Sequence, residues 1–101
     1  MIAEFSVTPV FNSEDTADWV ARAVEIIDKS GLNYQVTAMG TLIEGDFDDV
    51  MAVIKECHQN LMVDCPRIKT LIRIDDHKGR QALLQKRITE VEHLLGKELS
   101  H

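Results

Sequence analysis

The run Met39-Gly40-Thr41-Leu42-Ile43-Glu44-Gly45 falls between two stretches of helical periodicity and leaves the chain few options. A segment this short, with a glycine near each end, reads as part of a β-hairpin. Gly40 permits a tight reversal and Gly45 frees the chain to enter the next helix. Between them Thr41 supplies a hydroxyl and Glu44 a carboxylate, beside backbone with little bulky cover. The pattern suits a plain hairpin, and also a hairpin equipped to hold a small polar ligand.

The flanking segments extend the reading. From Ile2 to Val10 the chain alternates, with Ala3, Phe5 and Val7 to one side and Glu4, Ser6 and Thr8 to the other, the signature of a half-buried strand. Pro9 has no N–H to donate and ends the pairing. Asn12 or Ser13 can cap a helix whose positive first turn suits Glu14 and Asp15. Val20, Ala23, Val24 and Ile27 form its apolar stripe, with Trp19 at the border. Gly31 is expected to end this helix in the left-handed conformation, with Leu32 folding back as in a Schellman motif. Tyr34 to Met39 is the next strand, with Tyr34, Val36 and Ala38 facing in and Gln35, Thr37 and Met39 facing out.

A short strand from Thr41 to Glu44 follows, and Asp46 then caps a second helix carrying Val50, Ile54, Cys57 and Leu61 on one stripe. That helix should stop near Val63, ahead of Pro66. Arg67 to Asp75 alternates again, with Ile68, Thr70, Ile72 and Ile74 opposite Lys69, Leu71, Arg73 and Asp75. After Gly79 a third helix places Leu84, Ile88, Val91 and Leu95 on its stripe. The expected order is β-α-β-β-α-β-α. Its first six elements are the split βαβ arrangement of a ferredoxin-like α+β fold, a four-stranded antiparallel sheet, here with an additional C-terminal helix. Right-handed crossovers put both main helices on one side of the sheet. The outward sets, with Ser6, Thr8, Thr37, Met39, Glu44, Leu71 and Arg73 among them, share the other side. That side is either solvated or covered by a second copy of the chain.

A chain of 101 residues is expected to form one domain, spanning 1–101. A net charge of −6 argues against a nucleic-acid partner and is compatible with a cationic ligand, or simply with solubility. No apolar run approaches the ~20 residues of a membrane span. The N-terminus lacks the charged and apolar regions of a secretory signal, so a cytoplasmic location is expected, with Cys57 and Cys65 reduced. Cys57, His58 and Cys65 lack the spacing of a zinc site, so no metal is expected. Asp75-Asp76-His77 suits a turn into the last helix better than acid–base chemistry. His58 has no nucleophile or second acid at a readable spacing, and the chain is not expected to be an enzyme.

Three blocks then resemble a known family: Ala3-Glu4-Phe5-Ser6-Val7-Thr8-Pro9; Ser30-Gly31-Leu32-Asn33-Tyr34 leading into Met39–Gly45; and Arg67 to Asp76 with its Ile74-Asp75-Asp76 ending. Together they resemble the small thiamine-binding protein family over nearly the whole chain. The Val10-Phe11-Asn12 segment departs from relatives that place a glycine near there. The resemblance implies a ferredoxin-like domain assembling into dimers and tetramers, as a dimer of dimers, through its sheets. It also implies binding of thiamine or its hydroxymethylpyrimidine part without catalysis and without a cofactor. The ligand site it suggests is Ser6, Thr8, Thr37, Met39, Gly40, Thr41, Glu44 and Arg73, with Ser6, Thr41, Glu44 and Arg73 lining a cavity between subunits. Glu44 can instead pair with Arg73 or Lys69 across neighbouring strands. The competing reading is a structural or regulatory assembly domain with no small-molecule ligand.

Overall fold

A computed structural model describes residues 1–10, 16–79 and 84–100. It contains β1 (Ile2–Pro9), α1 (Thr16–Lys29), β2 (Asn33–Thr37), β3 (Gly40–Glu44), α2 (Phe47–Met62), β4 (Ile68–Asp75) and α3 (Leu84–Leu95), in the expected order. The sheet runs β2-β3-β1-β4 with every pair antiparallel. This is the four-stranded α+β arrangement of a ferredoxin-like fold. The expected cap at Asn12 or Ser13, the first-turn acids Glu14 and Asp15, and Phe11 lie outside the described residues.

Alternation along the strands decides what is buried. Ala3 and Phe5 of β1 and Ile43 of β3 sit beneath the helices with exposures of 3% or less, and Ile27, Val50, Ile54, Cys57 and Leu61 close over them. The two helices are clamped at one end by Arg22, which reaches Asp64 at 3.0 Å and the Asn60 side chain at 2.8 Å while lying over the Trp19 ring. Burial pushes the Cys57 thiol up to about 11, and its Sγ lies 3.5 Å from the Ala23 carbonyl oxygen. It is a packing residue rather than a reactive thiolate at neutral pH.

Three local expectations change. Gly31 is left-handed as expected, at φ 78°. The return bond of a Schellman motif is replaced by the Ser30 hydroxyl, which donates to the Ile27 carbonyl and accepts from Leu32 N–H. Asp46 precedes α2 but makes no side-chain capping bond. Finally, β2 stops at Thr37 rather than Met39, because the Thr37 hydroxyl folds back on the turn, donating to the Gly40 carbonyl at 2.8 Å and accepting from Met39 N–H at 3.2 Å. Such a local side-chain bond offers the backbone an alternative to the ladder.

None of the described residues of α3 is buried. The helix is tied to the body at its start, where Glu44 accepts from Leu84 N–H and Arg87 pairs with Asp75 at 2.7 Å. The radius of gyration is 15.1 Å, against about 13 Å for a compact chain of this length. The helix-free side of the sheet stays bare, with Met39 82% and Leu71 73% exposed.

Candidate functional site

The β2–β3 hairpin is shorter than the strand it packs beside. Pairing of β1 with β3 ends at Phe5↔Thr41, while pairing with β4 continues to Pro9↔Ile68. The second half of β1 is therefore open on the hairpin side. Met1 carbonyl accepts from Gly45 and Val10 N–H donates to Arg67. Backbone groups alternate sides along an antiparallel strand, so odd-numbered residues of β1 face the hairpin. Val7 thus points its N–H and C=O into the place the hairpin has already vacated.

The resulting notch has a volume of about 420 Å³, within the range of small-ligand sites. Its floor is Phe5 to Pro9, one wall is the hairpin tip from Val36 to Thr41, and the other wall is Val20, Ala23 and Val24 of α1. Small side chains on facing elements leave it unfilled: Val20 is 47% and Val36 49% exposed although both lie on the apolar side. Gly40 closes tightly on β1. A Cβ there would stand 2.9 Å from the Phe5 carbonyl oxygen, so no other residue fits without moving backbone.

Among the predicted site residues, Ser6, Thr8, Thr37, Met39, Gly40 and Thr41 all line this notch. Thr41 is 7% exposed, the one buried polar residue among those described. Its hydroxyl makes no hydrogen bond to a described residue. It is not sealed off either, since among the described residues no buried polar side-chain atom lacks a partner. The hydroxyl therefore opens to the notch, where a ligand or water can meet it. Thr37 is committed to the turn, as described above. The walls contributed by Val20, Ala23, Val24, Val36 and Ala38 were read in the sequence only as core-facing positions. The signal that they frame a cavity was their small size at adjoining positions.

The other two residues are elsewhere. Thr41 and Glu44 are three residues apart on one strand, so they face opposite sides of the sheet. Register confirms it, with Thr41 opposite Phe5 and Glu44 opposite Ile2. A single cavity lined by Ser6, Thr41, Glu44 and Arg73 is therefore excluded within one sheet face. The Glu44 carboxylate is occupied by the Asn33 side-chain amide and by the first N–H of α3. Neither Arg73 nor Lys69 reaches it across neighbouring strands, because β1 lies between β3 and β4. Arg73 instead pairs with Glu4 at 3.1 Å on the bare face. A shallower hollow of about 340 Å³ there brings Glu4, Ser6, Met39, Leu71 and Arg73 together.

The remaining polar candidates are in structural roles. His58 Nδ1 lies 2.8 Å from the Thr70 hydroxyl, joining α2 to β4. Cys65 lies 3.1 Å from the Arg67 carbonyl oxygen. Tyr34 donates to Asp28 at 2.8 Å, and that bond raises its phenol pKa. Among the described residues no three His, Cys, Asp or Glu side chains converge as metal ligands, and no helix is long and apolar enough to cross a membrane.

Comparison with known proteins agrees with this fold. UPF0045 protein MJ1052 of Methanocaldococcus jannaschii is 28% identical over 94 residues, covering 93% of this chain and 94% of the relative. Its crystal structure superposes with a TM-score of 0.82 over 89% of this chain and 93% of that one. YqgV of Bacillus subtilis, also named a UPF0045 protein, is 32% identical over 100 residues, covering 92% and 96% of the two chains. A Thermotoga maritima protein provisionally assigned to thiamine biosynthesis or salvage shares the fold, with a TM-score of 0.80 at 23% identity over 89% of this chain and 96% of that one. The family profile described as thiamine-binding protein matches residues 3–92, and on that match the chain belongs to the thiamine-binding protein family.

Proposed function

We propose that this chain is a non-catalytic binding protein for thiamine or its hydroxymethylpyrimidine part, acting as a cytoplasmic carrier or sensor, with the pyrimidine seated in the notch beside β1. The observation that carries the reading is Thr41, a residue only 7% exposed that lines the notch and opens its hydroxyl into it. A hydroxyl that opens to the notch from an otherwise buried residue meets water in the free protein and is placed to pair with a ligand instead. An aminopyrimidine presents ring-nitrogen acceptors and an amine donor along one edge. The Val7 N–H and C=O, with the hydroxyls of Ser6, Thr8 and Thr41, supply complementary donors and acceptors. Val20, Val24 and Val36 offer apolar contact to the ring.

The notch lining contains no carboxylate among the described residues. The cationic thiazolium therefore has no countercharge inside and belongs at the rim, toward Glu4 on the bare face. That face, with Met39 and Leu71 exposed, is closed by a second copy of the chain in this reading, so the mouth of the notch lies at a subunit interface. Thermal unfolding with hydroxymethylpyrimidine, thiamine and hydroxyethylthiazole, each at a concentration near 100 times the affinity being tested, decides the matter. The first two should raise stability by about 2.7 kcal/mol, and the thiazole alone should not. No stabilisation by either pyrimidine compound favours the second reading, an assembly domain whose bare apolar face makes only protein contacts.

A further inference from the structure

The notch and the hollow on the bare face adjoin. Phe5, Ser6 and Met39 line both, so the notch opens past Ser6 onto the Glu4–Arg73 pair. Glu4 and Ser6 are two apart on β1 and share the bare face. The two charged groups at this mouth are not equivalent. The Glu4 side chain is 31% exposed, whereas that of Arg73 is 82% exposed and meets the carboxylate at 3.1 Å. The carboxylate therefore lies close against the sheet. The guanidinium stands in water, where an ion pair contributes little and is readily exchanged. Inside, the notch is lined by no charged side chain among the described residues. Lys69 stands opposite Thr8 but lines neither cavity.

Hydroxymethylpyrimidine and thiamine carry the same methylene on the pyrimidine ring. It bears a neutral hydroxyl in one and the cationic thiazolium in the other. In the phosphorylated pyrimidine it bears a phosphate monoester, with about two negative charges at neutral pH. With the ring paired to the open edge of β1, all three groups leave the notch at the same place. On the reading that the notch seats a pyrimidine, we infer that Glu4 is the residue that selects among them. Its carboxylate favours the cation, tolerates the hydroxyl and rejects the phosphate, so the chain takes the pyrimidine compounds before phosphorylation and refuses the phosphate ester. A phosphate drawn into the notch is desolvated with no cation to offset it. A phosphate held at the mouth gains Arg73 only by taking it from Glu4, which leaves that carboxylate unpaired beside the anion. The net charge of −6 works in the same direction at longer range.

Calorimetric titration of the whole chain with hydroxymethylpyrimidine, its phosphate and thiamine tests the selection. At low ionic strength the phosphate should bind roughly tenfold or more weakly than the alcohol, and added salt should narrow the gap. Glu4→Gln should narrow it as well, and should weaken thiamine at the same time. If that variant does not fold, Arg73→Gln frees the carboxylate and should do the reverse, with thiamine tighter and the phosphate weaker. Equal affinity for the alcohol and its phosphate in the parent would overturn the selection and leave the pyrimidine site standing. Thiamine and the phosphate moving in the same direction in either variant would also overturn it. Failure of the alcohol itself to bind would end the pyrimidine reading and the selection together.

Discussion

Replacing Thr41 by Val separates ligand recognition from fold support at a single position. The two side chains have nearly the same shape, so the packing against Phe5 and Ile43 should survive. What changes is one hydroxyl on a residue only 7% exposed, with no hydrogen bond to any described residue. In the free protein that hydroxyl meets only the water of the notch, so Thr41→Val should change stability by no more than about 0.5 kcal/mol. In the complex the hydroxyl is paired with the pyrimidine, and a neutral hydrogen bond contributes about 0.5–1.5 kcal/mol net. Affinity should therefore fall roughly 2- to 13-fold while the fold holds. The assay is paired: chemical denaturation without ligand, and calorimetric titration with hydroxymethylpyrimidine. A variant that loses more than about 1 kcal/mol of stability yet binds as tightly as the parent would refute the reasoning. It would show the hydroxyl to be a structural partner, not a recognition group.

Glu44 should behave in the opposite way. Because it holds Asn33 and the first N–H of α3, Glu44→Ala should cost about 0.5–2 kcal/mol, as loss of a cap does. Helical circular dichroism should drop while pyrimidine affinity stays put. Leu71→Asp, at a 73% exposed position on the bare face, should shift monomer stability by no more than about 0.5 kcal/mol. Sedimentation should nonetheless show the face-to-face assembly lost, and an unaltered mass would remove that face from the interface. Cys57 supplies a pH test. Burial, reinforced by Glu56, raises its thiol from 9.0 to about 11. The fold thus favours the neutral form, and the stability this provides is whole below pH 9 and lost as pH rises through about 11. The loss amounts to ~2–3 kcal/mol. Subtracting the stability profile of Cys57→Ala from that of the parent should isolate the decline, and a flat difference between pH 9 and 11 would contradict it.

The fold was legible because its signals are local. Alternation in Ile2–Pro9 and Ile68–Asp75, and the helical stripe of Val50, Ile54, Cys57 and Leu61, each report a face that is buried, and the element order then allows few topologies. Of the residues proposed for the site, Ser6, Thr8, Thr37, Met39, Gly40 and Thr41 line one notch. The failures have two physical sources. Joining Thr41 and Glu44 in one cavity ignored that an odd spacing sends two strand residues to opposite faces, which the sequence itself could have revealed. The capture of Glu44 by Asn33 and Leu84, and the screening of β4 from β3 by β1, are long-range facts that no local pattern encodes. The notch exists because Thr37 turns the hairpin early, leaving β1 unpaired past Phe5. That is a property of register, visible only once the strands are aligned.

The central claim is that a pyrimidine pairs with the open edge of β1 and with Thr41. An amide-resolved NMR titration with hydroxymethylpyrimidine tests it most directly. Saturable shifts concentrated at Val7, Gly40 and Thr41, with α3 silent, are the predicted result. Shifts centred on α3 or on the Glu4–Arg73 hollow, or none at millimolar ligand, would contradict it.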